Sequence, residues 1–264
     1  MNRTALLSPA DPPPYTVLNP ASPVPLLFVC EHAGHTVPAA LAGLGIAEAD
    51  LLDHIGWDIG ADAVTRRFAA IFGAPAVVAT YSRLVIDANR PLAHPGSIPA
   101  ESDGRRIPAN EGLDAAARRT RQEACFWPFH RAVAAQRRRL CAAQAGGPPP
   151  VLVFVHSFTP AMADGSPRPW EVGILYDRDE RLAVPLLRVL RQTLGEALGD
   201  NQPYTGRGGT GFSAQVHAAE TGLPHIMLEF RNDLIRQPAG VNLWAARLAT
   251  ALRSCPDVAR VIAP

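Results

Sequence analysis

The chain has no lysine. All 25 of its Lys+Arg residues are arginine, which excludes every chemistry that needs a primary amine on a flexible stem: Schiff-base aldolases, pyridoxal-phosphate enzymes, Walker-type nucleotide binding and Ser-Lys hydrolases. Cysteine is scarce. The four thiols, Cys30, Cys125, Cys141 and Cys255, are far apart and form no CxxC pair, so a disulfide framework or a thiolate zinc site is not expected and a reducing cytoplasm fits best. No stretch approaches the roughly 18 uninterrupted apolar residues of a membrane span, and residues 1–24 lack the basic start and apolar run of a signal peptide. Excess charge is missing too. A formal net charge of +1 argues against bulk attraction to nucleic acid or an anionic membrane.

What is present, 264 residues of which 47% are hydrophobic, suffices for a full core and reads as one soluble globular unit. A proline-rich N-terminal extension, 1–24, precedes a single domain, 25–264. Pro25 to Cys30 (PLLFVC) is a short continuous apolar run, as expected of a strand buried on both faces. Glu48 to Phe72 has apolar residues at helical spacing with Gly73 as a stop signal. Strands are expected at Ala74–Thr80 and Arg83–Ile86, then a long ordered loop from Asp87 to Gly112 of the kind that covers active sites. A helical pattern runs from Leu113 to Gln144, with Pro128 kinking or splitting it. Strands at 151–155, 171–176 and 224–230 alternate with helices at 180–198, 212–221 and 240–253, and a glycine-rich loop lies at 203–211. This alternation predicts an α/β fold: one domain with a mostly parallel central sheet flanked by helices.

In open α/β sheets, ligands bind beyond the carboxyl ends of the strands. The polar residues placed there are Glu31 and His32 after PLLFVC, Asp87, Asn89 and Arg90 after RLVI, His156 and Ser157 after VLVFV, and Glu229, Arg231 and Asn232 on or after HIML. Two histidines and several carboxylates at one edge suit a divalent metal such as Zn2+, with one carboxylate left to act as a base. Plainer readings stand beside this one. His35, His54, His94, His130 and His225 each fit a hydrogen-bonded structural role, and His54 with Asp58, at i and i+4, is either a metal pair or a surface couple. Cys30 reads as a buried thiol or as a nucleophile beside His32. Ser157 lacks the glycine frame of a nucleophile elbow, and TGRGGTG at 205–211 is a weak phosphate-loop signal without a lysine.

Six blocks in order, CEHAGHTVP (30–38), HIGWDIGADAV (54–64), YSRLVIDANRP (81–91), HSFTP (156–160), EVGILYDRD (171–179) and GLPHIMLEFRNDLI (222–235), resemble the N-formylglutamate amidohydrolase family. That family is related in fold to the zinc carboxypeptidases, a phosphorylase/hydrolase-like architecture, and to the aspartoacylase and succinylglutamate desuccinylase group. The resemblance implies metal-dependent hydrolysis of the formyl amide of N-formyl-L-glutamate to formate and L-glutamate, as in histidine degradation. It implies His32 and His156 as metal ligands. The related peptidases carry a carboxylate three residues after the first histidine, where this chain has His35, so Asp58 is the first choice for the middle ligand, with His35 and Glu31 as alternatives. Glu229 resembles the general base and Arg83 the arginine that polarises the scissile carbonyl. Asn89 and Arg90 resemble a pair that holds the substrate carboxylate.

A substrate with two carboxylates calls for further guanidinium forks, for which Arg207 and Arg231 are the candidates. His217 is either a substrate contact or structural. The partner expected is a small acidic N-acyl amino acid, handled by a cytoplasmic monomer or small homo-oligomer. The rival readings are a hydrolase of another N-acyl amino acid or small amide, a non-catalytic binding protein on the same scaffold, and a cysteine hydrolase using Cys30.

Overall fold

The computed structural model describes residues 6–162, 164–208 and 211–262. In chain order its elements are β1 (Tyr15–Leu18), β2 (Leu26–Cys30), α1 (Glu48–Leu51), α2 (Ala61–Phe72), β3 (Ala76–Ala79) and the short pair β4 (Glu101–Ser102) and β5 (Arg105–Arg106). There follow α3 (Ala115–Arg121), α4 (Trp127–Ala143), β6 (Val151–Phe158), β7 (Val172–Leu175) and α5 (Ala183–Leu194). The chain ends with β8 (Leu198–Asp200), α6 (Phe212–His217), β9 (His225–Arg231), α7 (Pro238–Arg253) and α8 (Pro256–Ile262). No helix among the described residues is long and apolar enough to cross a membrane.

Seven strands form one sheet in the order β1-β3-β2-β6-β9-β7-β8. The four central strands, β3, β2, β6 and β9, run parallel, while β1 and the β7-β8 pair run against them. β2 and β6 are buried along their whole length, which explains their unbroken apolar runs. Alternate residues feed two cores. Phe28, Cys30, Val153, Val155 and Leu228 pack against α2, α5, α7 and α8, whereas Leu27, Val29, Leu152, Phe154 and Met227 pack with Phe129 and Val133 of α4. The same alternation carries Glu31, His156 and Glu229 onto the α4 side at the carboxyl edge.

Several elements differ from the pattern read in the sequence. β1 lies inside the 1–24 segment and pairs with β3, tying that segment to the sheet. Arg83–Ile86 is a turn: Ser82 Oγ accepts from the Leu84 amide and donates to the Gly56 carbonyl. Leu84, Val85 and Ile86 are apolar because they fill a third cluster beneath the 87–112 loop, which apolarity alone does not distinguish from a strand. The predicted 180–198 helix stops at α5, and residues 198–200 join the sheet edge as β8. Pro128 sits in the first turn of α4, and the chain enters it through a π-helical turn at Gln122–Phe126, so the long helix is re-phased without being cut. The buried Arg121 guanidinium donates to the Val85 and Ala109 carbonyls and to Asn110 Oδ1, pinning both ends of the loop; burial pulls its pKa down to about 10.

The segment 48–72, read as one helix, is α1 and α2 separated by a turn-rich stretch at 52–60. That break delivers Asp58, whose amide donates to the His32 carbonyl at 2.9 Å. Gly60 then opens α2 at φ 84°, where a Cβ would collide with the Ile235 carbonyl. Gly60→Ala is therefore expected to lower the unfolding free energy by about 2 kcal/mol or more. Urea titration should show this as a lower midpoint at unchanged slope.

Candidate active site

The loops after the four parallel strands converge on one crevice. His32 follows β2, Asp58 is brought in by the stretch before α2, and His156 stands near the end of β6. These three offer ligand atoms all within 4.8 Å of one another, and all three are buried. Asp58 Oδ2 is the meeting point, 2.8 Å from His156 Nδ1 and 3.4 Å from His32 Nδ1. It also accepts the Ser157 amide at 3.2 Å. Each imidazole presents its other nitrogen to a further carboxylate: His32 Nε2 lies 2.7 Å from Asp87 Oδ1, and His156 Nε2 lies 3.2 Å from Glu31 Oε2. The second contact is an ion-pair distance without hydrogen-bond alignment, so both Glu31 oxygens and His156 Nε2 are buried polar atoms lacking a hydrogen-bond partner.

Arg83 bridges two of these acids, donating from Nη1 to Asp58 Oδ1 (3.2 Å) and from Nη2 to Asp87 Oδ2 (3.0 Å). Burial pushes the carboxyls of Asp58 and Asp87 up, but the His32 charge and its neighbours hold both well below the carboxylate range. Burial likewise raises Glu31, and the His156 contact brings it below its ordinary value. For His156 the burial penalty is overcome by Asp58 and Glu31, which raise its pKa; for His32 burial and Arg83 lower it, and Asp87 and Asp58 more than offset them. Three buried carboxylates thus face one guanidinium and two imidazoles. The two further positive charges they require can arrive as two imidazolium protons or as one divalent cation.

The donor set fits a cation. The two Nδ1 atoms and Asp58 Oδ2 are a nitrogen-and-oxygen trio of the kind that binds zinc with a position left open. Asp87 and Glu31 stand where second carboxylates fix the tautomers of ligating histidines. His35 does not join the group: its ring lies against Trp57, at 4.8 Å between centroids. His54, considered with Asp58, contacts Asp53 and Asp103 instead.

Glu229 is cross-strand partner to His156, which places both side chains on one face of neighbouring strands. It is buried, its Oε2 lacks a hydrogen-bond partner, and burial together with the Asp58 charge pushes its pKa up to about 7. Its other flank is Gly173 of β7, where a side chain would strike the Gln202 carbonyl. Glu229, His32, Asp58 and His156 line a cavity of about 430 Å³ with Arg83, Asn89, Arg90 and Tyr204 in its walls. An outer cavity of about 340 Å³ shares Asp58, Arg83, Arg90 and Tyr204 with it and is bounded by the 87–112 loop, including His94, Ser102 and Asp103.

Other residues singled out in the sequence fall elsewhere. Arg231 donates to Asp233 and the Pro169 carbonyl and does not line the inner cavity; Arg207 is exposed and does not line it either. Of the glycine-rich loop, residues 209 and 210 lie outside the described residues. Cys30 packs in the α2-side core, and burial raises its thiol well above the ordinary range, which removes the basis for a thiolate nucleophile. Ser157 Oγ donates to the Ile59 carbonyl, a bond that occupies its proton.

His217 is stacked behind the site on His130, with 2.9 Å between His217 Nε2 and His130 Nδ1. His130 Nε2 lies 2.9 Å from the Ala88 carbonyl, so it donates there and accepts from His217. This chain of two neutral rings supports the segment carrying Asp87, Asn89 and Arg90. The Asn89 side-chain oxygen accepts the Ser213 amide at 3.1 Å, leaving its NH2 as the group for an acidic ligand. Sequence reasoning passed over Tyr204, Thr159 and Arg168 in the cavity walls, which lie in loops rich in Pro, Gly and Ser with no strand to mark them.

A family model described as N-formylglutamate amidohydrolase matches residues 24–236. The crystal structure of a gene product from Agrobacterium tumefaciens is similar over 94% of this chain and 98% of its own, at 36% identity and a TM-score of 0.87. That of an N-formylglutamate amidohydrolase from Ralstonia eutropha is similar over 94% and 98%, at 23% identity and a TM-score of 0.70, a likeness of fold. Among curated proteins none matches by sequence.

Burial lowers His130 to about 4 and His217 to about 3 from an ordinary 6.5, so the unfolded chain binds more protons than the folded one in that interval. Stability is expected to fall as the pH drops from about 6.5 toward 4, by an order of a few kcal/mol for the pair. Denaturant titrations should show a shallower acid slope in His217→Gln, which keeps a neutral side chain; an identical slope would remove the pair as its cause.

Proposed function

Because the chain belongs to the N-formylglutamate amidohydrolase family and is therefore an amide hydrolase, we propose that it cleaves the formyl amide of N-formyl-L-glutamate to formate and L-glutamate with the aid of a divalent metal ion, Zn2+ by the character of its ligands. The observation that carries this reading is the convergence of His32, Asp58 and His156 with Glu229 beside them. His32, Asp58 and His156 would hold the ion. Bound there, it would supply Lewis-acid activation of water and of the scissile carbonyl.

The remaining chemistry belongs to the side chains. Glu229, with a pKa of about 7, is matched to accept a proton from the attacking water and to return it to the leaving nitrogen. A formamide nitrogen leaves poorly as an anion, so this delivery is needed for the C–N bond to break. Arg83 is held by Asp58 and Asp87 in one orientation, with a pKa raised by those two acids against the penalty of burial. It is a fixed positive charge facing the cavity, placed to stabilise the oxyanion as the carbonyl becomes tetrahedral. Asn89 and Arg90, buttressed from behind by His130 and His217, are placed to take a carboxylate of the substrate. The reaction and its products are those of a step in histidine degradation.

Three measurements test this reading. Exhaustive chelation should abolish formate release from N-formyl-L-glutamate, and stoichiometric Zn2+ should restore it; activity that survives complete metal removal would sink the metal mechanism. Glu229→Gln preserves the shape of the protonated acid and should lower kcat by about two to four orders of magnitude with KM little changed. His156→Ala should weaken Zn2+ binding by at least about 100-fold, read by calorimetry independently of turnover. Unaltered Zn2+ affinity in that variant would remove His156 from the ligand set.

A further inference from the structure

N-formylglutamate carries two carboxylates, and the inner cavity supplies Asn89 and Arg90 for one of them. Arg83 is committed to Asp58 and Asp87, and Arg207 and Arg231 do not face that cavity. The outer cavity contains a further guanidinium, Arg168. Its Nη1 lies 3.1 Å from the Tyr204 hydroxyl and 3.4 Å from Thr159 Oγ1, and its guanidinium stacks 4.9 Å from the centre of the Tyr204 ring. Its backbone amide donates to the Pro160 carbonyl at 2.8 Å. Among the described residues no carboxylate lies within ion-pair distance of Arg168, in contrast to Arg66, Arg83, Arg105, Arg106 and Arg181.

We propose that Arg168 is the specificity-determining residue that binds the side-chain carboxylate of an N-acylated acidic amino acid. The inference rests on the hydrolase reading above and names the feature that would make the substrate acidic. Both side-chain hydrogen bonds of Arg168 leave from Nη1, so Nε and Nη2 are the fork that meets a carboxylate. Stacking on Tyr204 fixes the plane of that fork before the ligand arrives, which limits the rotamer entropy lost on binding. Thr159 directly follows β6, three residues after His156, so the guanidinium is tethered to the strand that carries a proposed metal ligand. Tyr204, the other tether, stands in the wall common to both cavities. In this arrangement one substrate carboxylate is assigned to Asn89 and Arg90 and the other to Arg168, in two cavities that share Asp58, Arg83, Arg90 and Tyr204.

The test compares the wild-type holoenzyme with Arg168→Gln and Arg168→Lys on N-formyl-L-glutamate and its neutral isostere N-formyl-L-glutamine. Equilibrium binding of the products L-glutamate and L-glutamine is measured in parallel. Arg168→Gln should lose about 10- to 100-fold in kcat/KM for N-formyl-L-glutamate, chiefly through KM, and leave N-formyl-L-glutamine unchanged. Arg168→Lys, which keeps the charge but not the planar fork, should fall between the two. The preference for binding glutamate over glutamine should shrink by the same factor. Equal losses on both substrates, or no loss on either, would overturn the subsite while wild-type turnover left the hydrolase reading standing. A wild type that hydrolyses neither compound but loses its glutamate preference on Arg168→Gln would overturn the reaction and retain the subsite. A wild type with no preference for the acidic ligand in turnover or binding would overturn the subsite.

Discussion

The structure is organised around one buried oxygen. Asp58 Oδ2 meets both imidazoles of the site and the Ser157 amide, while Oδ1 of the same carboxylate receives Arg83. An isolated carboxylate at this depth would be expensive to ionise, and only dense compensation makes it tolerable. That compensation sets demands on the rest of the chain. The stretch at 52–60 interrupts what would otherwise be one helix, Gly60 adopts a left-handed conformation to restart it, and the Asp58 amide is tied to the His32 carbonyl. The edge of the sheet is thus arranged to bring unlike charges together, and Glu31 and Asp87 extend the same pattern outward through the two histidines.

Charge surplus and charge pairing give the crevice its direction. At its base, negative groups outnumber the positive ones, which suits a divalent cation. Farther out, Arg83 is neutralised by its own acids, and Arg168 lies beyond it among neutral partners. Glu229 sits between these regimes. Burial and the Asp58 charge favour its protonated form while the imidazoles and Arg83 oppose that, leaving it near neutrality, where one group can both take and give a proton. Behind the crevice, burial keeps His130 and His217 neutral, outweighing the Glu31 charge that favours protonation of both and the Ala88 carbonyl that favours it in His130.

Much of this was legible in the residues. β2, β6 and β9 announce themselves as short apolar runs, and each ends in the residues that form the site, because a parallel sheet puts all its strand termini on one edge. Asp58 was harder to place: its segment has helical apolar spacing, and only Gly56 and Gly60 mark the break. Leu84, Val85 and Ile86 resemble a strand because burial under a loop selects the same residue types as burial in a sheet. The arginines divide most sharply. Arg231 directly follows Glu229's strand neighbour Phe230 yet turns to Asp233, while Arg168, in a loop with no periodic signal, faces the crevice. Arg231 shares the face of Glu229 two residues before it, but it is the last residue of β9 and its guanidinium is held by Asp233 and the Pro169 carbonyl, so nearness in sequence to a functional residue says little about which cavity a side chain enters.

By itself, the sequence determined the fold class, the edge of the sheet at which polar residues gather, and a set of six ordered blocks that carry the family likeness, since these depend on local apolar patterning and on residue identity. It also determined that every fixed cation is a guanidinium. Only the tertiary structure decided which acid stands between the two histidines, which carboxylates back them, that Glu229 is buried enough to hold a proton near neutrality, and which arginines reach the crevice. Those outcomes depend on distances between residues as far apart in sequence as Asp58 and His156, and on the exclusion of water around them. Neither exists until the sheet and its covering loops have closed.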